Sequence, residues 1–152
     1  MRLSLPRRVA LVLALGWSAA LFWLLISREV SKLPLAHNAF VSNCVHAGLF
    51  GLEALLLGLA WASREIGRPR GPWLVASLVA LAYAGALELG QGLVGRHASW
   101  WDMGTNAVGV LGSPWALEGG RVHWGRAAWA LAATLVAGAL STWAPGWLAA
   151  AA

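Results

Sequence analysis

The run VALVLALGWSAALFWLLI, Val9 to Ile26, holds eighteen residues without a single charge. As a helix rising 1.5 Å per residue it is about 27 Å long, close to the ~30 Å hydrocarbon thickness of a bilayer. In hydrocarbon every backbone N–H and C=O must be satisfied inside the segment, so such a run is confined to helix. Four more apolar runs follow, at residues 44–62, 73–94, 99–117 and 127–143. The pattern predicts an all-α fold, an integral membrane helical bundle of five transmembrane helices, as one domain over residues 1–152. Composition agrees. The chain is 59% hydrophobic and 11% charged, with too little charge to keep a soluble domain dispersed.

The cations set the orientation. With five spans and the N-terminus inside, Arg2, Arg7, Arg8, Arg64, Arg68, Arg70, Arg121 and Arg126 lie on the inner side, and only Arg28, Lys32 and Arg96 on the outer. That split follows the positive-inside rule; if the fourth run did not cross, it would fall to six against five. The predicted topology is therefore N-in and C-out. The first run is longer than the apolar part of a secretory signal and no small-residue cleavage site follows it, so it reads as an uncleaved anchor. Although the net charge is +5, the arginines form short clusters between apolar runs, with no basic face or nucleic-acid recognition motif. A single cysteine, Cys44, excludes an intrachain disulfide and a thiolate metal site. Pro34 breaks the first connection, a tight turn is expected over Gly95 to Ala98, EGGRVHWGR reads as a loop, and the small apolar residues at the end are expected to fray.

One stretch departs from this pattern: ELGQGLVGRHASWWDMGTN, Glu88 to Asn106. Glu88 and Gln91 are three residues apart and share a face of the third span, ~5–9 Å below the outer interface at 1.5 Å per residue. Asp102, Asn106, Gly109 and Ser113 recur at i, i+4, i+7 and i+11, a narrow stripe on the fourth span. A short turn makes these two spans antiparallel neighbours, so their polar faces can meet beneath the outer surface. Gly85, Gly90, Gly92, Gly95, Gly104, Gly109 and Gly112 suit their close packing. An ionisable group at that depth is costly unless paired or wetted, so Glu88 is expected to be neutral or bonded to Gln91, Asn106 or Arg96. Two readings fit: an outward-facing polar pocket, and interhelical hydrogen bonds that lock the helices together.

Ser99 and Asp102, in SWWD, form a capping box at the start of an apolar helix; Asp102 fits both a cap and the pocket. Arg96 reads either as an interfacial arginine touching phosphates or as a fixed guanidinium for an anionic headgroup or carboxylate. His46 lies at the depth of Glu88 in the second span and reads as a packing residue or as a proton carrier joining Glu88, Arg96 and Asp102. Glu53, seven residues on, lies near mid-bilayer and is expected to be protonated or paired. The chain has no HExxH, CxxC, phosphate loop or GxSxG. No metal site and no cofactor is predicted from such motifs, and a catalytic reading rests on His46, Glu88, Arg96 and Asp102 alone.

The order Tyr83, Glu88, Gln91, Gly95–Arg96, Ser99, Asp102, Asn106, Gly109 resembles the VanZ-like membrane protein family. The family pattern is roughly Y-G-x3-E-x2-Q-x3-G-R-x2-S-x2-D-x3-N-x2-G, and the spacing matches throughout. An upstream D-K-x2-H of the family is met here by SNCVH, which keeps His46 but has Ser42 and Asn43 in place of Asp and Lys; Ala84 and Val94 also depart from the common residues. The likeness covers roughly residues 40–115. It implies a multi-pass protein of the bacterial cytoplasmic membrane and a link to glycopeptide (teicoplanin) susceptibility, since the family's namesake is associated with teicoplanin resistance.

Three functions fit these residues. In the first, a non-enzymatic envelope protein binds membrane lipids or a lipid-linked cell-wall component through Arg96, with Glu88, Gln91, Asp102 and Asn106 shaping the pocket. In the second, an intramembrane enzyme modifies a lipid or glycolipid, with His46 or Glu88 as acid/base. In the third, a small transporter uses Glu88 and Glu53 as a proton path.

Overall fold

The computed structural model describes residues 6–27, 38–61, 71–95, 100–118 and 121–150. They form five helices: α1 (Arg7–Ile26), α2 (Ala39–Trp61), α3 (Gly71–Leu93), α4 (Trp100–Ala116) and α5 (Trp124–Ala150). Between α4 and α5 a two-stranded antiparallel hairpin, β1 (Leu117–Glu118) with β2 (Arg121–Val122), pairs Leu117 with Val122 and Glu118 with Arg121. α1, α3 and the Phe40–Trp61 part of α2 are long and apolar enough to cross a membrane. The Trp124–Leu140 part of α5 is a shorter apolar stretch.

The helix ends follow local chemistry. α2 starts five residues before the apolar run that predicted it, because the Asn38 side chain accepts the Val41 N–H at 3.1 Å and caps the first turn. α3 ends at Leu93, and Gly95, two residues on, has the positive φ of 82° typical of the left-handed residue that closes a helix. At the other end of the bundle Arg7 donates from Nε to the carbonyl of Ala60, 3.1 Å away, in the last turn of α2. A cation belongs there because the final carbonyls of a helix lack partners and carry partial negative charge. Two expectations differ from the structure. α5 does not end at Trp143 but runs on to Ala150, through Pro145 and Gly146, both weak helix formers. The EGGRVHWGR loop contains the short hairpin. The expected turn at 95–98 lies mostly outside the described residues, as do Arg96 and Ser99.

α2 is the hub: it packs against α1, α3, α4 and α5. The described hydrophobic core is small, with Leu21 and Leu25 of α1, Phe50 and Ala54 of α2, Ala80, Ala84 and Leu87 of α3, and Val110 of α4. Around it the usual distribution is inverted. Val12, Leu15, Trp23, Leu89, Leu93, Trp124, Trp129 and Leu131 are exposed, while Asn43, His46, Glu53, Ser77, Glu88, Gln91, Thr105 and Asn106 are buried. Water would expel such a surface, whereas hydrocarbon accepts it and drives polar groups inward. Exposed Trp23 and Trp101 lie toward one end of the bundle and exposed Trp61 and Trp124 toward the other, as interfacial indoles do.

The α2–α4 contact is backbone on backbone. A Cβ built on Gly109 would overlap the Ala47 carbonyl, and one on Gly51 would meet Ser113 Oγ at 2.8 Å and the Gly109 carbonyl oxygen at 3.0 Å. The Gly109 face of the polar stripe thus packs on α2, and Gly112 faces Ala130 of α5; of the glycines expected between α3 and α4, Gly85 does meet α4, at Met103. A Cβ on Gly104 would meet nothing within 4 Å. Gly109→Ala is therefore expected to lower stability by about 1–3 kcal/mol through overpacking, and Gly104→Ala to leave it unchanged or slightly raised. Thermal unfolding of the detergent-solubilised protein checks this; equal midpoints for the two variants would refute the contact.

Candidate functional site

Three helices bring polar side chains to the end of the bundle where α2 and α4 begin and α3 finishes. α2 supplies Asn43 and His46, one turn apart on one face. α3 supplies Glu88 and Gln91, also one turn apart. α4 supplies Asp102 in its first turn and Asn106 a turn later. His46 is 6% exposed, Glu88 4%, Gln91 2% and Asn106 0%; Asp102 is half-buried and keeps the group in reach of the surface. His46 Nδ1 stands 3.7 Å from Glu88 Oε1. One nitrogen of His46 and one carboxylate oxygen each from Glu88 and Asp102 lie within 4.8 Å of one another. His46, Glu88 and Asp102, read from the sequence as lying at one level, thus form one cluster.

The other polar side chains of α4 divide by what they bond. Thr105 donates from Oγ1 to the Asp102 carbonyl at 3.0 Å, and Ser113 donates to the Gly109 carbonyl at 3.0 Å, so both hydroxyls are taken by their own helix. Asn106 differs. Neither its amide nitrogen nor its amide oxygen has a hydrogen-bond partner among the described residues, and the same holds for Nε2 of Gln91. A buried amide left so forfeits about 1–3 kcal/mol per group. Buried donors and acceptors of this kind call for an explanation, such as an ordered water, an ion or a strained contact.

A second polar layer lies deeper. The Ser18 hydroxyl donates to Glu53 Oε1 at 2.7 Å and lies 2.9 Å from the Ala14 carbonyl, while Tyr83 donates to the Ser18 carbonyl at 2.6 Å. Glu53 is 1% exposed and is paired on one oxygen, joining α1, α2 and α3. This is interhelical bonding of the kind that holds membrane bundles together. Ser18 carried no signal at the level of sequence, because a serine on an apolar helix face is unremarkable until its partner is known. Phe50, between the two layers on α2, is fully buried and meets the Tyr83 ring edge-on at 6.5 Å.

Against family models, curated proteins and solved structures, no match to this chain is found.

The hydrogen bonds separate the two sequence readings of the upper layer. If Asn106 served only to tie helices together, its removal would cost stability. With no described partner, Asn106→Leu, of similar volume, is expected to leave unfolding unchanged or to raise its midpoint. A loss beyond about 1 kcal/mol in detergent unfolding would instead assign Asn106 to interhelical bonding.

Proposed function

We propose that the chain is a five-span protein of the bacterial cytoplasmic membrane, N-terminus inside and C-terminus outside, whose α2–α3–α4 cluster binds the polar headgroup of a lipid or lipid-linked cell-wall component. The observation that carries this reading is the convergence of His46, Glu88 and Asp102 from three helices within 4.8 Å. Buried ionisable groups are costly in a membrane and mark binding or transport sites there. Half-buried Asp102 gives the cluster a way to the surface. Arg96, in the connection between α3 and α4, supplies a guanidinium for phosphate or carboxylate. Glu88, Gln91 and Asn106 shape the pocket from the buried side.

The arginine distribution supports the topology, and the resemblance of residues 83–109 to the VanZ-like pattern supports the envelope and an influence on glycopeptide susceptibility. The separation of 3.7 Å between His46 and Glu88 favours a second reading, an intramembrane enzyme that modifies a lipid, with this pair moving a proton.

Retention of anionic lipid by the purified protein separates the two. Under the binding reading, Arg96→Ala weakens retention of phosphatidylglycerol in nanodiscs about tenfold, as expected for one lost charge-assisted hydrogen bond. Under the enzyme reading, Glu88→Gln and His46→Ala keep the lipid bound and abolish its conversion in cells overproducing the protein. Wild-type retention by Arg96→Ala would count against the first reading, and unchanged lipid profiles in all three variants against the second.

A further inference from the structure

The upper cluster gathers an imidazole and two carboxylates into one small, mostly buried volume. We propose that His46, Glu88 and Asp102, with the amide oxygen of Asn106 as a further donor, hold one divalent transition-metal ion of the zinc or manganese kind. This inference rests on the reading of the cluster as the binding site and names what the site uses to draw an anionic headgroup.

Four observations carry it. The first is ligand type. An imidazole nitrogen with carboxylate and amide oxygens is a mixed N/O donor set, which suits zinc and manganese; magnesium and calcium prefer oxygen alone. The second is spacing. Two ligand atoms on one ion, at bond lengths near 2.1 Å and tetrahedral or octahedral angles, sit roughly 3.0–3.5 Å apart. His46 Nδ1 and Glu88 Oε1 are at 3.7 Å, and one ligand atom each of His46, Glu88 and Asp102 fall within 4.8 Å of one another, so these three require only a small inward rotation to share an ion.

Charge is the third. Glu88 and Asp102, when both ionised, place two negative charges beside one imidazole. A divalent ion with a neutral imidazole brings the buried set to zero net charge, which removes most of the penalty of placing it in low dielectric. The fourth is Asn106. It stands one turn beyond Asp102 on the same face, is fully buried, and its amide oxygen has no partner among the described residues. An amide oxygen is a neutral donor that would add to a coordination sphere without adding charge.

The ion would draw its ligands from three separate helices, and at five- or six-coordination the four donors would leave at least one position for a further oxygen. A phosphate or carboxylate oxygen can take that position, with the ion as Lewis acid.

The test uses the full chain without an affinity tag, purified in detergent and stripped with a chelator. Zn²⁺ and Mn²⁺ are added singly, with Mg²⁺ and Ca²⁺ as controls. Expected are one ion retained per chain by elemental analysis and an unfolding midpoint higher by about 5 °C at saturating Zn²⁺ or Mn²⁺, with no rise for the controls. Glu88→Gln and Asp102→Asn, both nearly isosteric, should each weaken the affinity more than about tenfold. Failure of the unmutated protein to retain a stoichiometric ion would overturn the proposal, and this arm needs no variant to fold. Wild-type affinity in both variants would overturn it too.

Lipid retention by the stripped and the loaded protein keeps the two proposals apart. One ion bound with no lipid retained supports the metal site and removes the headgroup reading. Lipid retained equally with no ion bound removes the metal site and leaves the headgroup reading in place.

Discussion

The close approach of α4 to α2 at Gly109 sets the geometry on which the site depends. In a bilayer no hydrophobic force pushes helices together, because lipid tails are as apolar as leucine; association comes from van der Waals contact and interhelical hydrogen bonds. Both improve when backbones touch. Gly109 sits against the carbonyl of Ala47, and Gly51, one turn further along α2, faces Gly109 and Ser113. With that contact made, the polar stripe of α4 above Gly109 is in register with His46 on α2. Asp102 of α4 then comes together with Glu88 of α3 and His46 of α2. A side chain at position 109 would push α4 outward and open the cluster before any ligand residue was changed.

The same solvent explains why the interior is polar. Large apolar side chains are exposed on α1, α3 and α5, and amide, imidazole and carboxyl groups are gathered inside. In the deeper layer every polar group named has a protein partner on at least one atom: Ser18 serves Glu53, and Tyr83 serves the Ser18 backbone. In the upper layer Asn106 and one nitrogen of Gln91 have none among the described residues. In the deeper layer Glu53 Oε2 is likewise without a partner among the described residues, and half-buried Ser18 and Tyr83 border that layer as half-buried Asp102 borders the upper one.

Much of this is legible in the sequence. Five apolar runs gave five helices, because length and hydropathy dominate in a chain of this kind. Boundaries were less accurate where a local bond decides them: Asn38 starts α2 within a polar segment that carries no hydropathy signal. Burial of Glu88, Gln91 and Asn106 followed from their helical spacing. Partner choice did not. A tight turn says that α3 and α4 are neighbours in sequence, but the depth to which α4 settles against α2 depends on shape, which a single sequence does not encode one position at a time. For the same reason spacing along one helix does not reveal that His46, Glu88 and Asp102, one from each of three helices, come together.

Phe50 has a consequence of its own. It stands on α2 four residues after His46 and three before Glu53, fully buried among Leu21, Leu25, Leu87 and Val110. Any protein that collects polar groups at two depths of a bilayer risks joining them with a file of water, and such a file would short-circuit the ion gradients across the membrane. The phenyl ring and its leucines put an apolar layer between the two polar ones, which offers a file of water no hydrogen-bond partner there.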